Sequence, residues 1–170
     1  IKDQNIVIHL AAQISVSKSI KNPLETFEIN VDGTRNVLNA CEKNGIKKLI
    51  VASSAAVYGE GLPNLKLTEE SVTDPISPYG ESKLKMEQII KDFVSKHKID
   101  CVILRFFNVY GMGQSDEYAG VITKFIEKIT QNKSLEIFGD GLQTRDFVSI
   151  DDIVNSIQNA LSNNKNGIYN

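Results

Sequence analysis

Short apolar runs alternate along the chain with longer stretches in which apolar residues recur every three or four positions. A brief continuous apolar run suits a strand covered on both faces, and the longer period suits an amphipathic helix. The alternation therefore predicts βαβ units and a mainly parallel sheet, an α/β fold. The first strand is expected over residues 5–10, Asn-Ile-Val-Ile-His-Leu. Asn22-Pro23 then supplies a capping side chain and a proline at the first helical position, and Leu24, Phe27, Val31, Val37, Leu38 and Cys41 carry an apolar stripe towards Gly45. Further strands are expected at 49–53, 101–106, 135–138 and 145–149, and helices from Pro78 to about Lys98, over 121–131, and from the Ser149-x-x-Asp152 cap to about Leu161. Gly167–Asn170 reads as part of another strand. Residues 59–78 hold three of the four prolines and no regular period. A loop this long inside a compact domain is usually functional, so it is a candidate cover for a site near a strand end.

Composition narrows the field. The 170 residues carry 19 basic and 21 acidic side chains, so there is no basic excess to neutralise a run of phosphates, and a nucleic-acid partner is not expected. The apolar stretches are far shorter than the roughly 20 residues that cross a bilayer, and no membrane partner is expected. Cys41 and Cys101 are isolated thiols without a C-x-x-C spacing, which suits a reducing cytoplasm and small buried apolar residues; no metal site is expected. The sequence opens at Ile1 without Met and enters a strand within five residues, so it is expected to be the middle of a longer chain.

Tyr79 and Lys83 stand four apart just inside a helix, which puts their side chains on one face. An ammonium beside a phenol favours the phenolate and makes it a better base at neutral pH, so the pair can take a proton from a hydroxyl. Alone the spacing is a weak signal, and a surface aromatic beside a solvated lysine is the plain alternative. Ser53 and Ser54 add weight, because they close a strand at the edge where ligands bind in open parallel sheets. His9, in an apolar strand, reads as a hydrogen-bonded structural residue, and the Lys/Glu-rich stretch 81–98 as a solvated helix face.

Five ordered blocks then carry a resemblance: His9-Leu10-Ala11-Ala12; Asn30-Val31-Asp32-Gly33-Thr34; Val51 to Gly59 with Ser77-Pro78-Tyr79-Gly80-Glu81-Ser82-Lys83; Leu104 to Gly111; and Arg145 to Asp152. Together they resemble the extended short-chain dehydrogenases/reductases, and within these the nucleotide-sugar epimerases. Ala55 and Ala56 stand where the similar 4,6-dehydratases carry an acid and a carboxylate; methyl groups can neither donate nor accept a proton, so dehydration is disfavoured. Decarboxylation is disfavoured less firmly, on Ala56 alone.

The resemblance implies a partial doubly wound Rossmann-type sheet over 1–110 and 143–163, with part of a small substrate subdomain over 111–142 and 164–170. It implies NAD as cofactor and a UDP-hexose as substrate. Tyr79 would be the base on the sugar 4-hydroxyl, Lys83 would hold the nicotinamide ribose and lower the Tyr79 pKa, and Ser54 would bind the same sugar oxygen. Leu10, Ala11, Ala12, Gln13, Asn30, Ser53, Tyr79, Lys83 and Phe107 would line the cofactor. Ser54, Tyr79, Asn108, Glu136, Phe138 and Arg145 would contact the nucleotide sugar. Plainer roles remain open for several: Asn30 as a backbone cap, Arg145 as an ion-pair partner of Asp146 or Asp151, Phe107 and Phe138 as core. Ile14 and Ala56 depart from residues common in the family, so cofactor tightness and sugar contacts are expected to differ. No Gly-x-x-Gly-x-x-Gly turn occurs, and the 170 residues alone are expected to be inactive, with the intact protein a cytoplasmic homodimer. The rivals are a reductase of the same family and a non-catalytic nucleotide-sensing relative.

Overall fold

The computed structural model describes residues 1–60, 66–114, 120–137, 139–163 and 165–170, and they form two compact units, Ile1–Phe106 with Asn159–Asn170 and Phe107–Gln158. In the first, strands β1 (Ile6–His9), β2 (Lys48–Ser54), β3 (Asp100–Phe106) and β6 (Gly167–Tyr169) make a parallel sheet in the order β1-β2-β3-β6. Register is continuous along β2 and β3, from Lys48 opposite Asp100 to Ser53 opposite Arg105 and Ser54 opposite Phe106. Residues 167–169, grouped by the sequence with the substrate subdomain, instead pair with β3 through Val102 to Leu104.

Helices α1 (Val16–Lys21), α2 (Pro23–Phe27), α3 (Gly33–Lys43) and α4 (Pro78–His97) belong to the same unit, and a π turn over Glu28–Asp32 joins α2 to α3. The core lies between α3, α4 and one face of the sheet: Leu38 and Cys41 meet Met86 and Ile90 over Leu49, Val51, Cys101 and Ile103. These strand residues are two apart, as the pleat requires. Ile50, Val102 and Leu104, which alternate with them, are buried as well, so β2 and β3 are covered on both faces as their unbroken apolar runs predict. Both cysteines are free and buried, and burial pushes the Cys101 thiol up to about 12.

The second unit holds a two-stranded parallel sheet, β4 (Asn108–Tyr110) with β5 (Phe147–Ser149), the helix α5 (Val121–Thr130), and most of α6 (Ile150–Ser162). The Ser149 hydroxyl accepts the Asp152 N–H at 3.1 Å and donates to the Asp152 carboxylate at 2.7 Å, which is the cap predicted from Ser149-x-x-Asp152.

Two expectations differ, and one helix was not foreseen. Residues 135–137 form no strand: Leu135 and Ile137 are exposed and no described strand lies alongside to complete a ladder; Phe138 lies outside the described residues. Asn22 makes no side-chain cap, and its carbonyl receives the Thr26 hydroxyl instead. The short helix α1, capped by Ser15, escaped the sequence pattern because Ser19 is its one buried residue, so it has no apolar stripe.

Candidate active site

Everything at the end of β2 follows from how α4 begins. Ser77 caps the helix by accepting the Gly80 N–H at 3.1 Å, and Pro78 takes the first helical position, where no N–H is needed. The next free N–H, that of Tyr79, is taken by the Ser19 hydroxyl of α1 at 3.1 Å. Gly80 lets this turn press on the chain after β2: a Cβ there would stand 2.6 Å from the Ala56 carbonyl oxygen. Helix and strand end are thus drawn together, close enough for the Ser54 side chain to favour the ionised Tyr79 phenol. Ser54 itself caps the 3-10 turn Ala55–Tyr58, accepting the Ala56 N–H at 3.2 Å.

Lys83 follows one turn after Tyr79, buried, with Nζ donating to the Ala52 carbonyl at 2.9 Å. Burial pulls the ammonium down to about 8, against the attraction of Glu87. The sequence predicts a phenol lowered by Lys83; instead, burial holds the Tyr79 phenol above its ordinary value, with the Ser54 side chain offsetting part of the rise. An ammonium carries three donors, and Ala52 uses one of them, so among the described residues two remain for ligand oxygens such as those of a ribose. That donor set fits the nicotinamide half of a dinucleotide.

The stretch after β1 is shaped by Asn30, which is fully buried. Its side chain accepts the Gln13 N–H at 2.7 Å and donates to the Gln13 carbonyl at 3.0 Å and to the Ser82 hydroxyl at 2.8 Å. Asn30 therefore does cap backbone groups, and those groups are the ones that end the exposed Leu10–Ala11 stretch and the half-buried Ala12 and Gln13. Ser82 in turn donates to the Tyr79 carbonyl at 2.7 Å, and the Thr34 hydroxyl donates to the Asn30 carbonyl at 2.6 Å. Thr34 has a single proton, so at 2.9 Å from its oxygen the Nε2 of His9 must be the donor. His9 is the hydrogen-bonded structural residue the sequence predicts, and burial, with Lys83 nearby, holds its pKa down.

One expectation fails beside Lys83. The 81–98 stretch is not simply a solvated face, since Ser82, Lys83 and Glu87 are buried. The Ser53 hydroxyl is committed to Glu87 at 2.6 Å. Glu87 also takes a two-pronged bond from Arg105, Nε to Oε1 at 2.9 Å and Nη2 to Oε2 at 2.7 Å. Arg105 donates to the Tyr58 hydroxyl at 2.7 Å, and Tyr58 donates to Asn170 at 2.7 Å. Sequence reasoning missed this cluster. The available signal was a charged residue inside an otherwise apolar strand, Val-Ile-Leu-Arg105-Phe, which must find a partner.

The remaining candidates lie in the second unit. Asn108 donates through its side chain to the Asp146 carbonyl at 2.8 Å, beside Arg145, whose guanidinium is exposed and donates to the Thr144 carbonyl at 2.8 Å. β4–β5 pairing thus brings Asn108 and Arg145 together. Glu136 is exposed and pairs with Lys128 at 3.4 Å, and Phe107 is half-buried.

Comparison with known proteins agrees with this geometry. The family model described as the NAD dependent epimerase/dehydratase family matches residues 1–170. A provisionally named UDP-glucose 4-epimerase of Methanocaldococcus jannaschii is 48% identical over 172 residues, 99% of this chain and 55% of that protein. A dTDP-D-glucose 4,6-dehydratase of Dictyostelium discoideum is 35% identical over 177 residues, 98% of this chain and 40% of that protein. The solved UDP-N-acetylglucosamine 4-epimerase of Methanobrevibacter ruminantium M1, in complex with UDP-N-acetylmuramic acid, superposes with a TM-score of 0.93 at 41% identity, covering 98% of this chain and 54% of that one. The chain thus spans about half the length of the relatives it matches. By its sheet, its strand-end site and these matches, the chain belongs to the NAD-dependent epimerase/dehydratase family.

Proposed function

We propose that this chain carries the catalytic centre of a nucleotide-sugar 4-epimerase of the UDP-glucose/UDP-galactose type, working through a transient 4-keto sugar. The observation that supports this best is the Ser54–Tyr79–Lys83 constellation beside two methyl groups, Ala55 and Ala56, in place of acid–base side chains. Tyr79 takes the proton of the sugar 4-hydroxyl, and Ser54 holds the same oxygen. Lys83 supplies the positive charge that a buried phenol needs in order to lose its proton, and its spare donors hold the ribose of the cofactor. When bound, NAD supplies a reversible hydride acceptor for C4, so the stereocentre can invert with no net oxidation. Leu10 to Gln13, ordered by Asn30, line the cofactor together with Phe107. Asn108 and Arg145 hold the diphosphate, where a guanidinium fork matches phosphate oxygens, and Glu136 contacts the base. The intact protein is a homodimer, which light scattering tests.

The deciding experiment incubates the intact protein that contains this chain with NAD and UDP-galactose, and separately with UDP-N-acetylglucosamine, and follows the sugar by proton NMR. Interconversion of the 4-epimers without net NADH supports the reading. Turnover only when NADH or NADPH is added, oxidised in step with product, would make the protein a reductase, and loss of water would make it a dehydratase. Tyr79→Phe is expected to lower kcat by about 10²- to 10⁴-fold, the usual worth of a positioned general base.

A further inference from the structure

With Lys83, Glu87 and Arg105 are the most deeply buried charges among the described residues of the first unit, at 1% and 3% exposure, and unlike Lys83 they have no part in the proposed chemistry. Replacing such a pair by apolar residues of similar volume is often neutral or stabilising, so stability alone is a poor reason for it. Its geometry is more telling. Glu87 lies one helical turn beyond Lys83 and two beyond Tyr79 on α4. Its carboxylate is bound by Ser53 and by Arg105, which face each other in the β2–β3 register, and Ser53 immediately precedes Ser54. One carboxylate therefore ties the helix bearing two of the proposed catalytic groups to the strand bearing the third.

We propose that Glu87 is a positioning residue of this centre, fixing the distance between the Ser54 strand end and the Tyr79–Lys83 helix through its bonds to Ser53 and Arg105. The proposal rests on the epimerase reading only for the reaction that reports it. Glu87 is also the charge that favours the Lys83 ammonium, while His9, from β1, is the other titratable group coupled to it. The carboxylate thus acts on the centre by geometry and by charge.

The test compares Glu87→Gln and Glu87→Asp with wild type in the intact protein that contains this chain. It measures kcat and KM for epimerisation, and the titration of Lys83 by nitrogen NMR. Glu87→Gln is expected to lower kcat roughly 10- to 100-fold with KM nearly unchanged, the usual penalty for loosened catalytic geometry, and to move the Lys83 midpoint about one pH unit lower. Glu87→Asp should recover part of both. If Glu87→Gln does not fold, Ser53→Ala removes the strand tie and leaves the ion pair intact; a several-fold loss of kcat is then expected. A lower melting temperature with unchanged kcat and an unchanged Lys83 midpoint overturns the proposal, as does an unchanged kcat in Ser53→Ala. A wild-type protein that converts no nucleotide sugar overturns the epimerase reading instead, and the Lys83 midpoint alone then judges Glu87.

Discussion

Near its start, α4 is braced by a chain of neutral groups, in which Ser82 joins Asn30, Thr34 and His9. Little more than a turn further on, it is braced by an ion pair, in which Glu87 joins Ser53, Arg105 and Tyr58. Both are buried, and the buried side-chain polar atoms among the described residues all have partners. They differ in what happens when a member is removed. In the neutral chain each hydroxyl has one proton and one direction, so the network sets orientation: the His9 tautomer, the Gln13 backbone, the Tyr79 carbonyl. In the ionic brace, losing one member strands a charge where water cannot reach it. The neutral brace is therefore expected to fail gradually and the ionic brace abruptly.

The sharpest way to break this contrast is Arg105→Met, which leaves Glu87 buried and unpaired. A stability loss of about 3–5 kcal/mol is expected in urea denaturation, most of it recovered by the double change Arg105→Met with Glu87→Leu. If the single and double variants lose the same stability, the brace is not behaving as an ion pair. Asn30→Ala should cost less, about 1–3 kcal/mol, because it strands polar groups of Gln13 rather than a charge. It should also raise the amide exchange rate of Gln13, whose N–H loses its acceptor.

The smallest effect is in pH. The folded His9 pKa lies below its ordinary 6.5, so below that pH the unfolded chain binds more protons than the folded one. The stability contributed by neutral His9 is present above about 6.5 and is lost as pH falls towards the folded value. Melting temperatures of wild type and His9→Phe, compared between pH 7 and pH 5, should differ in slope, with wild type the steeper. Equal slopes would remove His9 from the neutral brace.

The order of strands and helices was legible in the chain, because period 2 and period 3.6 are local properties of five to twenty residues. Elements too short to show a period were not: α1, with Ser19 its one buried residue, and the three-residue β4. Residues 135–137 show the converse error, apolar alternation without a neighbouring strand to bond among the described residues. Tyr79, Lys83 and Ser54 could be named from spacing, strand position and family likeness. Ser77-Pro78 and Ser149-x-x-Asp152 could be read as helix starts, since capping involves only nearby atoms.

Glu87, Arg105, Tyr58 and Ser19 could not be found in this way. Glu87 and Arg105 are 18 residues apart, and Ser19 and Tyr79 are 60 apart. Their meeting depends on the β2–β3 register and on how closely Gly80 lets α4 approach the end of β2. The phenol's ionisation shows the same division: four-residue spacing placed a cation beside Tyr79, but burial, a property of the assembled fold, set the direction in which its pKa moved. Local periodicity and caps are written in the sequence because they act between neighbours, whereas register, close approach and desolvation arise only when distant segments pack.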